Sequence, residues 1–213
     1  MSKSEKFWNK LSKNYDKYAK DKAFKLLVKK SKKYFKKNDT VLDFGCATGL
    51  FAIEFANKVR EIHAFDTSSK MIEIAKEKIK KKQIDNITFS QTNLFDDTYK
   101  KSSFDTILAL NILLYFKDME KVLNRMSTLL KSNGLIITST ACLKEKRTFI
   151  GVFSSSIIFI LKQLGFLPYL NFFTILELEE KIENLGFKII DTGILIDKPA
   201  TEYYIVAQKN TSC

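Results

Sequence analysis

Between residues 40 and 140 the hydrophobic pattern keeps changing period. Short apolar runs at 40–44, 61–66, 87–92, 104–110 and 135–140 read as buried strands. Stretches of helical spacing lie between them, at 49–58, at 69–82 with Met71, Ile72, Ile74, Ala75 and Ile79 inward, and at 118–131. Strands alternating with helices over short connections predict a parallel sheet covered on both faces. The end of the chain breaks this rhythm. A helix over 174–184 stops at Gly186, and strands at 187–195 and 201–209 are joined by only 196–200. That connection is too short for a helical crossover, so these two strands are expected to be antiparallel. Asn133-Gly134 reads as a turn or helix stop.

The first 37 residues are also helical. Phe7, Leu11, Tyr15 and Tyr18, then Phe24, Leu27, Val28 and Phe35, are spaced to form apolar faces among lysines. This segment also holds the charge. The 213-residue chain carries a net +12, and residues 1–37 contain 14 Lys against Glu5, Asp16 and Asp21. The rest is nearly neutral. We expect a basic helical cap (1–37) on a catalytic domain (38–213), together one structural domain. An anionic membrane surface and RNA are candidate partners for the cap. Only three Arg occur in the chain, and a solvated lysine face is the plainer alternative.

Composition excludes several classes. Cys46, Cys142 and Cys213 have no paired spacing and the one histidine is His63, so no zinc, iron–sulfur or disulfide framework is expected. Free thiols suit a reducing cytoplasm. The N-terminal stretch lacks the apolar run of a signal peptide. The apolar window 149–170 is interrupted by Ser154, Ser155, Ser156, Lys162, Gln163 and Pro168, too polar for a membrane span. A cytoplasmic protein is expected, with attachment to the inner membrane surface as a variant of that reading.

Chemistry concentrates in 41–49, which reads Val-Leu-Asp-Phe-Gly-Cys-Ala-Thr-Gly. A glycine-bearing turn from the first strand to the first sheet helix lies where open α/β sheets bind ligands. Gly45 and Gly49 are expected to let backbone approach a bound group. The pattern fits neither a G-x-G-x-x-G dinucleotide loop nor a P-loop. Asp43 at the strand end repels pyrophosphate and suits a cationic ligand. Asp66, ending the second strand, is placed to bind ribose hydroxyls. An adenosine with a cationic, phosphate-free tail describes S-adenosylmethionine.

On these residues the chain resembles the class I S-adenosylmethionine-dependent methyltransferases over roughly residues 7–209. The resemblance carries the glycine-rich motif 41–49 (with Ala47 where Gly is more usual), the acidic motif 66–71, the third-strand end 91–96, and 104–115 facing the transferred methyl. It implies a Rossmann-like, seven-stranded, mostly parallel sheet with helices on both faces and the last strand antiparallel. It further implies cofactor contacts from Tyr15, Asp43, Gly45, Gly49, Asp66, Thr67, Asn93, Leu94 and Leu110, no metal, and an N-terminal segment folding over the cofactor. Each residue also admits a structural role: Asp66 as a helix N-cap, Tyr15 and Tyr115 as packing, Cys46 as a small loop residue.

Methyl transfer is an in-line displacement, and a base is needed only where the acceptor must lose a proton. No histidine is near the expected site, so no catalytic residue is named. The insertion 142–173, apolar over 149–167, is expected to line a pocket for an apolar or aromatic small molecule, to dock a second subunit as a homodimer, or to touch a membrane. An RNA or protein methyltransferase and a non-catalytic partner subunit are the alternative readings.

Overall fold

In a computed structural model of the chain, residues 1–145, 169–198 and 200–210 are described. Their helices are α1 (Lys3–Leu11), α2 (Tyr15–Ala19), α3 (Lys22–Ser31), α4 (Leu50–Phe55), α5 (Ser69–Lys82), α6 (Met119–Leu129) and α7 (Ile175–Glu183). The strands are β1 (Thr40–Phe44), β2 (Glu61–Asp66), β3 (Ile87–Gln91), β4 (Phe104–Leu110), β5 (Leu130–Cys142), β6 (Phe187–Ile196) and β7 (Thr201–Lys209). They form a seven-stranded sheet in the order β3-β2-β1-β4-β5-β7-β6. β7 runs antiparallel to both its neighbours, and the other pairings are parallel.

Period-two alternation sorts the strands onto two cores. Leu42, Phe44, Ile107, Ala109 and Ile205 pack with α6 and α7 on one face. Val41, Ile62, Ala64, Leu108 and Val206 pack with α3, α4 and α5 on the other. All five residues of β1 are buried, which explains why it reads as a continuous apolar run. Helix starts follow the short polar residues: Asp118 caps α6, Ser68 caps α5, and Thr174 with Glu177 forms a capping box on α7.

Two expectations change. Asn133-Gly134 is neither turn nor helix stop. It lies inside β5, which begins at Leu130, and Asn133 at φ 60° falls where the pairing with β4 shifts register. The stripe Phe7, Leu11, Tyr15, Tyr18 is not one buried face. α1 and α2 are separate short helices, and Leu11 and Tyr18 are 43% and 72% exposed. The apolar stretch 149–167, with its pocket, dimer and membrane expectations, lies outside the described residues. Among the described residues no helix is long and apolar enough to cross a membrane.

Candidate functional site

The parallel strands β1, β2 and β4 end together. The turn after β1 passes through positive φ at Gly45 (71°), Ala47 (47°) and Gly49 (74°). Gly45 and Cys46 N–H groups both donate to the Phe65 carbonyl at 2.9 Å, tying the turn to β2. Asp66 completes the link. Its Oδ2 accepts from the Ala47 N–H at 3.0 Å and its Oδ1 from the Ser68 N–H at 2.8 Å. Both carboxylate oxygens are thereby fixed while retaining further acceptor capacity. The N-cap of α5 is Ser68, which accepts from the Met71 N–H, so Asp66 is not itself that cap. Burial raises the Asp66 carboxyl above the usual range, opposed by these N–H groups.

Above this floor lies a cavity of about 300 Å³, lined on the sheet side by Gly45, Asp66, Thr67, Asn93, Leu94 and Leu110. Ser2, Ser4, Trp8 and Tyr15 cover it from the N-terminal helices, and Met71, Phe95, Ile112, Tyr115 and Phe116 complete the wall. The structure thus brings together seven of the nine expected cofactor residues. The other two stand behind the wall. Gly49 does not face the cavity. A Cβ there would meet the Phe89 ring at 2.4 Å, so this glycine serves the packing of α4 against β3 and α5. A Cβ on Gly45 would meet Ile112 of the cavity wall at 2.8 Å.

Asp43 is 2% exposed, and its Oδ2 has no hydrogen-bond partner among the described residues. Burial, with the charge of Asp66 adding, pushes its carboxyl up to about 7. A desolvated carboxylate with an unspent acceptor beside a second carboxylate fits a ligand that brings positive charge. Asn93 is partly committed, since its Oδ1 accepts from the Phe95 N–H at 2.9 Å. Cys46 is buried and its thiol is held well above its ordinary range by that burial, which suits a packed loop residue rather than a nucleophile. His63 lines a more open depression that shares no residue with this cavity.

The cap is fastened by polar contacts that periodicity does not reveal. The Ser68 hydroxyl donates to Asn9 Oδ1 at 2.6 Å. Asp16 accepts from the Thr48 hydroxyl at 2.5 Å and pairs with Lys78 at 2.6 Å. The Trp8 ring meets Tyr115 edge-on at 5.3 Å. A second cavity, of about 600 Å³, opens next to the first and shares Trp8, Tyr15, Leu110, Asn111 and Tyr115 with it. Glu202 lies in its wall, and no sequence signal near Thr201 pointed there.

A family model described as a methyltransferase domain matches residues 35–163. The chain is similar to a ubiquinone biosynthesis O-methyltransferase of Coxiella burnetii, 26% identical over 159 residues, covering 74% of this chain and 68% of that protein. It is also similar to a ribosomal protein L11 methyltransferase of Thermotoga neapolitana, 34% identical over 122 residues, covering 54% of this chain and 44% of that one. Its fold matches the crystal structure of a SAM-dependent methyltransferase from Aquifex aeolicus with a TM-score of 0.71 at 16% identity, over 94% of this chain and 97% of that chain.

Proposed function

The chain belongs to the class I methyltransferase family, whose members use S-adenosylmethionine, and on that premise we propose that it methylates a small apolar or aromatic molecule held in the second cavity. One observation carries the reading. The cavity with Asp66 in its floor and buried Asp43 behind it shares a wall of Trp8, Tyr15 and Tyr115 with an adjoining aromatic cavity. In this reading Asp66 accepts hydrogen bonds from the ribose hydroxyls. Asp43 supplies long-range attraction for the cationic end. Asn93, Leu94 and Thr67 border the adenine end, and Gly45 leaves room for the ligand against Ile112.

The bound cofactor supplies an activated methyl group. The protein contributes alignment and exclusion of water, through the cap helices on one side and Leu110, Asn111 and Tyr115 on the other. The relatives named above differ in acceptor, one being named for a quinone pathway and one for a ribosomal protein. The acceptor class here therefore rests on the lining of the second cavity. A screen of aromatic and apolar compounds for release of S-adenosylhomocysteine tests it. Turnover of such compounds is expected, and turnover confined to RNA or protein would overturn the reading.

A further inference from the structure

The second cavity is walled by Trp8, Tyr15, Phe24, Phe51 and Tyr115, with Tyr18 also in its lining. Into this aromatic wall β7 places one carboxylate, Glu202, which borders the cavity from the sheet side. Its Oε1 accepts from the Asn111 side-chain amide at 2.9 Å. Asn111 follows the last residue of β4, holds φ 53°, and lines both cavities. Its backbone N–H is fixed by the Ser139 carbonyl at 2.8 Å, so the amide that holds Glu202 stands on the sheet itself. The carboxylate is therefore oriented within the second cavity by Asn111, a residue of both cavities, rather than lying loose on the surface.

Resting on the function proposed above, we infer that Glu202 is the general base of this methyltransferase and that its acceptor carries a hydroxyl on an aromatic body. The acceptor O–H gives its proton to a Glu202 carboxylate oxygen. The oxygen lone pair forms the new O–CH₃ bond as the S–CH₃ bond breaks, and the breaking pair goes to sulfur, leaving a neutral thioether. Glu202 then returns the proton to solvent. This supplies the base that the absence of a nearby histidine left unassigned. Burial holds the Glu202 carboxyl above the ordinary range, with the charge of Asp21 adding and the Asn111 amide opposing, which makes it a stronger proton acceptor. The other ionisable groups lining the cavity are Lys10, Tyr15, Tyr18, Asp21 and Tyr115.

The test uses the full chain and the isosteric change Glu202→Gln. S-adenosylmethionine affinity, measured by calorimetry, is expected to stay at the wild-type value. With catechol as acceptor, S-adenosylhomocysteine release is expected to fall about 100-fold or more, the range for loss of a general base. With thiophenol, already ionised near neutrality, it is expected to change little. A binding readout stands apart from turnover. Bound 4-nitrocatechol should ionise at higher pH in wild type than in Glu202→Gln, because a neighbouring carboxylate disfavours the phenolate. Equal probe titrations, equal losses for catechol and thiophenol, or turnover confined to amines would overturn the assignment, as would a wild-type protein that binds the cofactor but no aromatic hydroxyl. Failure of wild type to bind the cofactor at all would instead overturn the function on which it rests.

Discussion

At the scale of single residues the site is a matter of two carboxylates with different tasks. Asp66 presents oxygens to the cavity while two backbone N–H groups hold it still. Asp43 is sealed behind the wall, where burial pushes its carboxyl up to about 7. A cationic ligand favours its ionised form, so ligand binding and proton release are linked. Cofactor affinity should accordingly strengthen as pH rises through about 7 and level off above it. Asp43→Asn should flatten that limb. Calorimetry over a pH series checks this, and an affinity that weakens as pH rises through the same window would contradict it. Tyr15 and Cys46 lie close enough to feel the same charges, but both are held above their ordinary ranges and stay neutral across the window. Sequence order alone made Asp43 and Asp66 legible, because each ends a strand that reads plainly. It did not separate the residue that lines the cavity from the one behind it. Nor did it distinguish Gly45, which lines the cavity, from Gly49, which spares Phe89.

At the scale of elements the cap is the part that sequence rendered least well. Spacing announced helices over 1–37 but suggested continuous apolar faces, whereas three short helices turn corners at Ser12–Asn14 and Asp21. What seats them is polar and long-range: Asn9 on Ser68, and Asp16 on both Thr48 and Lys78. Lys78 is half-buried, so its pair with Asp16 is shielded better than a surface salt bridge. Asp16→Ala removes that tie from both the glycine turn and α5. It should speed tryptic cleavage after Lys13, Lys17 and Lys20 several-fold while leaving cleavage in α6 unchanged, and added cofactor should slow it again. Unchanged cleavage of the cap would show that packing of Trp8 and Tyr15 suffices. The sheet, by contrast, was readable strand by strand. Its one misplacement, at Asn133-Gly134, arose because a left-handed residue inside an irregular strand pairing has the same composition as a turn.

At the scale of the whole molecule, the charge of +12 collected in the cap changes meaning once partners within the chain are seen. Lys33 pairs with Asp191 at 3.1 Å, Lys32 approaches Glu54 at 3.8 Å, and Lys30 stands over the Tyr204 ring. Lys30 of α3 and the two lysines just after it thus face β7, α4 and β6, which leaves fewer lysines of the cap for an anionic partner. Sequence could count those lysines but not their partners, Glu54 on α4 and Asp191 and Tyr204 far along the chain on the last strands. The family and its fold were legible because the glycine turn and the acidic strand end sit at fixed places in the strand–helix alternation. Glu202 was not, because it reaches the site only through the antiparallel return of β7 beside β5. The cavity over Asp66 is expected to bind S-adenosylmethionine, and calorimetric titration of the cofactor into wild type and Asp66→Ala checks this. One site per chain is expected in wild type, weakened about 10- to 100-fold in the variant, in keeping with about 1.5–3 kcal/mol for a hydrogen bond to a charged group. No binding to wild type, or equal affinity for the two proteins with the fold of both intact by circular dichroism, would contradict it.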